Sequence, residues 1–367
     1  MTGVRSGTRR SARRWWWTVH KWGGLLLAAV FALIGLSGTT LVIEDGLDRL
    51  IHPRRYAVTG EGHQSYARYL ATARTVAQPG ERAANIVRSV GTGPLTVTLV
   101  SRSAGAARRL VYLDPATARV LDVATPAGGV MRLVHRLHGS LLVPVIGRTI
   151  VGWVGLALAL SCLSGLVLWW PRSGGVRRAL SWRRGAGVAA NLHRLAGAGI
   201  ALPLLVLALT GAWISFPNVA AALSGEDRTR GAARLAGMLA PPLARPALKI
   251  DAVVARARPL APAAPLRTII LPTERSADWT LAYDTQPMLT VAVADDSGVA
   301  ARGLVLGSVA GDSSVGQIVR RVHDGTGMGR VWNGVIALAG LAPTLFGITG
   351  VALWWRRRVT RDASRPA

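Results

Sequence analysis

Four stretches of this chain carry no Asp, Glu, Lys or Arg: Gly23–Ile43, Thr149–Trp170, Leu195–Gly225 and Val331–Trp355. Each is long enough to cross a hydrocarbon core of about 30 Å at about 1.5 Å per helical residue. The first could pass for a signal peptide, but it is too long for an h-region and no A-x-A-like site closes it. It reads as an uncleaved anchor. Composition agrees with four spans: 50% of residues are hydrophobic, yet 44 Lys and Arg face 18 Asp and Glu, a net charge of +26. Basic excess with this much apolar sequence points to a membrane protein in contact with lipid, and no nucleic-acid partner is expected.

Orientation follows from the short flanks. Residues 1–21 hold six basic residues and no acid, residues 171–194 again six and none, and residues 356–367 five Arg against Asp362. These segments are expected on the cytoplasmic side, which puts both termini there and the two long acid-bearing segments outside. Trp15–Trp17, Trp169–Trp170 and Trp354–Trp355 stand where an inner interfacial belt would be. Cys162 is the single cysteine, so no disulfide can form within the chain.

An internal repeat organises the rest. "VHKWGG" at 19–24 resembles "LHRLAG" at 192–197, and from each histidine the next Ser/Thr-Gly pair follows at the same distance: Ser37-Gly38 after His20, Thr210-Gly211 after His193. Spans two and four match without a gap, since His138 precedes Ser164-Gly165 and Trp169 by the same intervals that separate His323 from Thr349-Gly350 and Trp354. The chain therefore reads as two tandem two-span units of one orientation, with a pseudo-two-fold axis along the membrane normal.

That symmetry sorts the histidines. His20 and His193 fall at the cytoplasmic ends of spans one and three, and His138 and His323 on the external approaches to spans two and four. Two opposed neutral imidazoles are what a six-coordinate b-type haem needs, so two haem b groups stacked across the bilayer are expected, with these four histidines as axial ligands to the iron. No C-x-x-C-H sequence occurs, so the haems would be non-covalent. Gly38, Gly211, Gly165 and Gly350 are expected to let the porphyrin planes approach the backbone. The plainer alternatives are that each histidine hydrogen-bonds at a membrane edge and that the glycines only let helices pack closely. His135 has Arg320 as its counterpart, so symmetry gives it no ligand role; a hydrogen bond to a propionate or substrate, or no role at all, suits it better. His52 and His63 lack counterparts and are expected to be solvated.

Taken together, "HKWGG", "HRLHG", "HRLAG", "SGLVLWW" and its echo "TGVALWW" resemble the PepSY-associated transmembrane helix family, over most of the chain. That resemblance implies an inner-membrane, multi-pass di-haem ferric-siderophore reductase. It also implies small external α+β domains: "RLVYLDPATARVLDV" at 109–123 looks like paired strands turning at Asp114–Thr117, "YARYLATARTVA" at 66–77 like the helix packed on them, and "LTVAVADDSGVAARGLVL" at 289–306 like a diverged second copy. The expected fold class is a membrane all-α four-helix bundle with these domains attached. Its divisions are 1–43 with span one, 44–127 external, 128–170 with span two, 171–192 cytoplasmic, 193–217 span three, 218–315 external, 316–355 with span four, and 356–367 cytoplasmic. The proline-rich runs "APPLARPALKI" and "RPLAPAAP" are where the second external segment departs from the family pattern.

Two functions compete. One is a haem-dependent oxidoreductase that passes electrons across the membrane to an external ferric-siderophore or other ferric chelate, whose iron is released because such chelators prefer the harder Fe(III). The other is a PepSY-type membrane binding or regulatory module without redox activity. A transporter is disfavoured by spans free of Asp, Glu, Lys and Arg, and hydrolysis by the lack of a nucleophile constellation or zinc signature. The cytoplasmic loop is too short for a flavin or nicotinamide domain, and "GTGMG" at 325–329 does not match G-x-G-x-x-G and reads as a flexible lead into span four. The electron donor is then a quinol or a separate protein.

Overall fold

The computed structural model describes residues 4–60, 62–89, 91–101, 108–125, 129–171, 175–225, 236–237, 240–285, 288–303 and 314–363. In chain order its first half comprises α1 (Val4–Val42), α2 (Glu44–Ile51), α3 (Tyr66–Thr75), β1 (Glu81–Arg88), β2 (Leu95–Ser101), β3 (Arg109–Leu113), β4 (Val120–Ala124), α4 (Val130–Ser140) and α5 (Gly147–Trp169). The second half follows with α6 (Gly175–Ala179), α7 (Val188–Ser215), α8 (Pro217–Ser224), α9 (Ile250–Ala257), β5 (Leu266–Ile270), β6 (Asp278–Tyr283), β7 (Leu289–Ala294), β8 (Ala300–Gly303), α10 (Ser314–Asp324) and α11 (Gly329–Ala363). Two compact units result: a helical unit of Met1–Glu44, Leu133–Leu223 and Ile318–Ala367, and a sheet unit of Asp45–Arg132 and Ser224–Gln317.

The helical unit is built from the apolar stretches. Four helices are long and apolar enough to cross a membrane, over Ser11–Val42, Gly147–Trp169, Val188–Ser215 and Gly329–Thr360. They form a ring in which α1 and α7 each pack on both α5 and α11. With lipid outside, nothing hydrophobic drives helices together, so small residues and close backbone contact must do it. Gly35 lies so near the Gly340 carbonyl that a Cβ there has no room, and Thr39 Oγ1 donates to the Ala337 carbonyl at 3.0 Å. On the other side of the ring a Cβ at Gly155 would stand 3.1 Å from the Ala208 carbonyl oxygen. The third apolar stretch runs to Gly225 in sequence, but its helix stops at Ser215. Pro217 cannot donate to the preceding turn and restricts Phe216, so a separate short helix begins there.

Two eleven-residue amphipathic helices, α4 and α10, precede the second and fourth spans and carry His138 and His323. The glycines of the lead into the last span form a hydrogen-bonded turn after α10. Gly325, Gly327 and Gly329 all have positive φ, Met328 N–H donates to the Gly325 carbonyl at 3.0 Å, and Trp332 Nε1 donates to the Val322 carbonyl at 2.8 Å.

The sheet unit differs from the expectation of two external domains. Its eight antiparallel strands run in the order β4-β3-β2-β1-β5-β6-β7-β8, so both long segments contribute to one sheet. The join is β1 against β5, with Asn85, Ile86 and Val87 opposite Ile270, Ile269 and Thr268. Alternation along the strands sends Val97, Leu99, Val111 and Leu113 from one half and Leu281, Tyr283, Val291 and Val293 from the other into a core that includes Tyr69 of α3 and Val253 of α9. The hairpins expected at 109–123 and 289–306 are β3–β4 and β7–β8, with residues 304–306 outside the described residues. The proline-rich segment supplies α9, whose Asp251 carboxylate accepts from the Tyr66 and Ala67 amides at the start of α3.

Two buried aspartates pin the hairpins. Asp295 accepts from Ala247 N–H, Leu248 N–H and the buried Trp279 Nε1, and Asp114 accepts from the Thr59 and Thr117 hydroxyls and the Thr59 and Ala116 amides. Burial acts to raise the Asp114 carboxyl, but these four bonds outweigh it and hold it below the usual carboxylate range. A carboxylate depressed in the folded state contributes stability above its unfolded pKa of about 3.9 and loses it as pH falls through the folded value. Asp114→Asn is expected to lower local protection by about 1–3 kcal/mol at neutral pH and to abolish the acid dependence below about pH 4. Hydrogen exchange of the β3–β4 amides in the full chain measures both, and unchanged protection in the variant would contradict the assignment.

Candidate functional site

The helical unit brings the four repeat-related histidines into two facing pairs. His20 on α1 and His193 on α7 have ring centroids 6.1 Å apart, and His138 on α4 and His323 on α10 also stand 6.1 Å apart. The planes cross at 85° in the first pair and 41° in the second. His138 lies beside Gly38, so the two pairs sit eighteen residues apart along α1, about 27 Å at about 1.5 Å per residue.

Each imidazole is held the same way. His20 Nδ1 lies 3.0 Å from Ser164 Oγ and 3.1 Å from the Ser161 carbonyl oxygen, both on α5. His138 Nδ1 lies 3.0 Å from the Ile34 carbonyl oxygen and 3.3 Å from Ser37 Oγ on α1. His193 Nδ1 meets Thr349 Oγ1 at 2.8 Å, and His323 Nδ1 meets Thr210 Oγ1 at 3.0 Å. All four hydroxyls donate their own proton back to a carbonyl of the preceding turn. Their oxygens are left as acceptors, so the proton of each bond must come from Nδ1. A carbonyl cannot donate at all, which fixes the same tautomer for His20 and His138. The lone pair therefore sits on Nε2, which has no partner among the described residues at any of the four positions.

The glycine after each hydroxyl makes the space. A Cβ on Gly38 would stand 2.9 Å from His138 Cε1, on Gly211 3.0 Å from His323 Cε1, on Gly165 3.1 Å from His20 Cε1, and on Gly350 3.8 Å from His193 Cε1. The missing side chains thus admit the imidazole ring itself, a more direct role than the backbone–porphyrin approach expected from sequence. Ser/Thr-Gly recurs four times: each hydroxyl orients a ring, and Gly38, Gly211 and Gly165 also let it in, while at Gly350 a Cβ would meet only ordinary contact.

A metal–imidazole bond of about 2.0–2.1 Å on each side, plus roughly 1 Å from each nitrogen to its ring centre, places two centroids about 6 Å apart. Both pairs meet that spacing. Around His20 and His193 lies a cavity of about 910 Å³, within the about 300–1,000 Å³ range of ligand sites. Its wall carries Trp17, Trp169 and Trp354 with Arg13, Lys21 and Arg357, and among the described residues no Asp or Glu. Trp169 Nε1 is buried there without a partner among the described residues, a donor waiting for an acceptor such as a carboxylate. Among the described residues no group of three or more His, Cys, Asp or Glu could hold a metal ion. A metal between these imidazoles must then bring its other ligands, as a porphyrin does.

A model of the PepSY-associated TM region family matches residues 17–357. The chain belongs to that family. None of the curated proteins matches it. In this member of the family, His135 stands apart from the pairs: it is half exposed, with Nε2 3.7 Å from the Glu44 carboxylate. Sequence spacing could not show that contact, because Glu44 closes a different span. His52 lies 3.9 Å from Asp48, and exposed His63 contacts Arg88, so both are solvent-facing but partnered.

Proposed function

We propose that this PepSY-associated membrane protein is a transmembrane di-haem b oxidoreductase that reduces an external ferric chelate of the siderophore class. The single observation that carries the reading is the twofold occurrence of two imidazoles at 6.1 Å, each with Nδ1 tied back and Nε2 unpartnered. On this reading the two-span halves are repeats about a pseudo-two-fold axis: α1 corresponds to α7, α5 to α11 and α4 to α10, and the helix neighbours match under that exchange. The basic segments face the cytoplasm, the membrane is the bacterial inner membrane, and His20 and His193 form the inner site.

Haem b, when bound, supplies a one-electron couple at each site. The chain's part is to hold two neutral imidazoles at fixed orientation, so that little rearranges when the charge at the site changes by one. Ser164, Ser37, Thr349 and Thr210 do this by accepting from Nδ1–H, which also raises the donor strength of Nε2. Leu158, Leu204 and Phe346 give the inner cavity an apolar part, and Trp169 with the cations of its wall would receive the carboxylates of an amphipathic dianionic ligand. His135 stands one helical turn before His138 and pairs with Glu44, so on this reading a partly exposed acid and base lie beside the outer site.

Pyridine haemochrome assay of the detergent-purified protein is expected to give about two haems b per chain, and dithionite-reduced protein is expected to be reoxidised by a ferric hydroxamate. A colourless protein would overturn the reading and leave the regulatory module. A coloured protein that ferric chelates fail to oxidise would remove the acceptor while keeping the two sites.

A further inference from the structure

Resting on the di-haem reading, we infer that the inner site is reduced by an acidic, water-soluble one-electron carrier protein that docks on the cationic mouth of the His20–His193 cavity, and not by a quinol. Oxidation of a quinol releases two protons with two electrons, so a quinol site needs a base within hydrogen-bond reach of the hydroxyl. The cavity wall offers none. Among the described residues it carries no Asp or Glu, its lysine and arginines offer hydrogen-bond donors and no acceptor, and on the di-haem reading both of its histidines donate through Nδ1–H and keep Nε2 for iron. Glu44 and His135 of the helical unit pair with each other beside the outer histidines, away from this cavity. A carrier that delivers one electron asks less: one ferric iron becomes ferrous, one reduced centre on the carrier is oxidised, and no bond or proton changes hands at the site.

Charge selects the partner. Arg13, Lys21, Arg178, Arg183, Arg194 and Arg357 line the cavity. Arg177 and Arg184 stand exposed in the same loop as Arg178 and Arg183. A basic excess on cytoplasmic segments follows from the topology bias alone; that bias does not require six of the cations to line the cavity that holds the His20–His193 pair. The loop is also a built surface. Fully buried Asn191 accepts from Arg183 N–H at 2.9 Å and donates to the Arg183 and Gly187 carbonyls at 2.9 and 3.0 Å, while Arg194 donates to the Ala179 and Ser181 carbonyls. Residues 179–187 are thereby folded onto the first turn of α7 beside the inner pair. A preformed positive rim steers an acidic protein to that point, and such steering is lost with salt.

The test uses the haem-loaded full chain in zwitterionic nanodiscs, with a reduced acidic [2Fe–2S] ferredoxin as one donor and decylubiquinol as the other, followed at the haem α-band. Ferredoxin is expected to reduce the protein at a rate that falls at least tenfold between low and 0.5 M salt. The double variant Arg177→Glu/Arg184→Glu should slow it at least threefold at low salt and flatten the salt dependence, with haem content and dithionite reduction unchanged. Decylubiquinol should give no reduction. A two-haem protein that decylubiquinol reduces, or whose reduction by ferredoxin ignores both salt and the double variant, overturns this inference alone. A protein without haem overturns the di-haem reading and this inference with it.

Discussion

His138→Ala is expected to empty one axial position of the outer site, so that its haem is lost or turns high-spin while the inner site keeps its low-spin spectrum. Reduction of an external ferric chelate should fall by more than the about 10–100-fold that loss of a supporting hydrogen bond costs at a metal site. His323→Ala should behave alike, and the double variant should lose nothing further, because two residues serving one centre are not additive. His135→Ala should keep both low-spin centres. Its nearest charged partner is Glu44 at 3.7 Å, and its ring is half exposed and outside both pairs. Difference spectra of the variants decide the matter: loss of the outer centre on replacing His135, with retention on replacing His138, would show that the wrong histidine of "HRLHG" has been given the iron.

The second large effect comes from adding one methyl group. Gly38→Ala and Gly211→Ala would press a Cβ to 2.9 and 3.0 Å from an imidazole carbon, so each ring must shift away from its helix and its Nδ1 from the hydroxyl and carbonyl that hold it. Both variants are expected to lose or loosen the outer haem nearly as completely as removal of the ligand. Gly165→Ala, at 3.1 Å from His20, should damage the inner site, whereas Gly350→Ala, at 3.8 Å from His193, meets ordinary contact and should be tolerated. Haem retained through gel filtration, read on monodisperse protein, gives the order. Equal tolerance at all four positions would mean that the glycines serve helix packing alone.

Much of this was legible before any coordinates. Charge-free stretches mark spans because an ionised side chain in hydrocarbon is costly, and that signal does not depend on what the helices touch. The spacing of His20 to Gly38 and of His138 to Gly165 carries the pairing, since a helix turns repeated intervals into repeated depths. The hydroxyl beside each glycine was visible too, but its work was not. Whether Ser164 faces His20 depends on how α1 and α5 rotate against each other, which follows from packing rather than from either helix alone. The single sheet was hidden for a similar reason: β1 meets β5 across a separation of about 180 residues, and neither edge names its partner. The proline-rich stretch before β5 masked an ordinary short helix, because Pro241, Pro242 and Pro246 precede α9 rather than interrupt it.

Each histidine cradle is closed within one half of the chain. His20 rests on Ser164 and Gly165, and His138 on Ser37 and Gly38, all before residue 171; His193, His323 and their hydroxyls and glycines all follow it. A two-span half thus prepares one histidine of each pair and lacks only the opposing one, which a second copy of the same half could supply. On the di-haem reading, a symmetric dimer of a shorter polypeptide is a sufficient ancestor for both centres, and duplication followed by fusion converts it into one chain. Fusion then frees the copies to differ where the cradles do not constrain them. His135 now answers to Arg320, and Phe346, whose ring packs 5.3 Å from that of His193, answers to Ser161. A docking face on which the two halves present different residues to one partner is something a symmetric homodimer cannot offer.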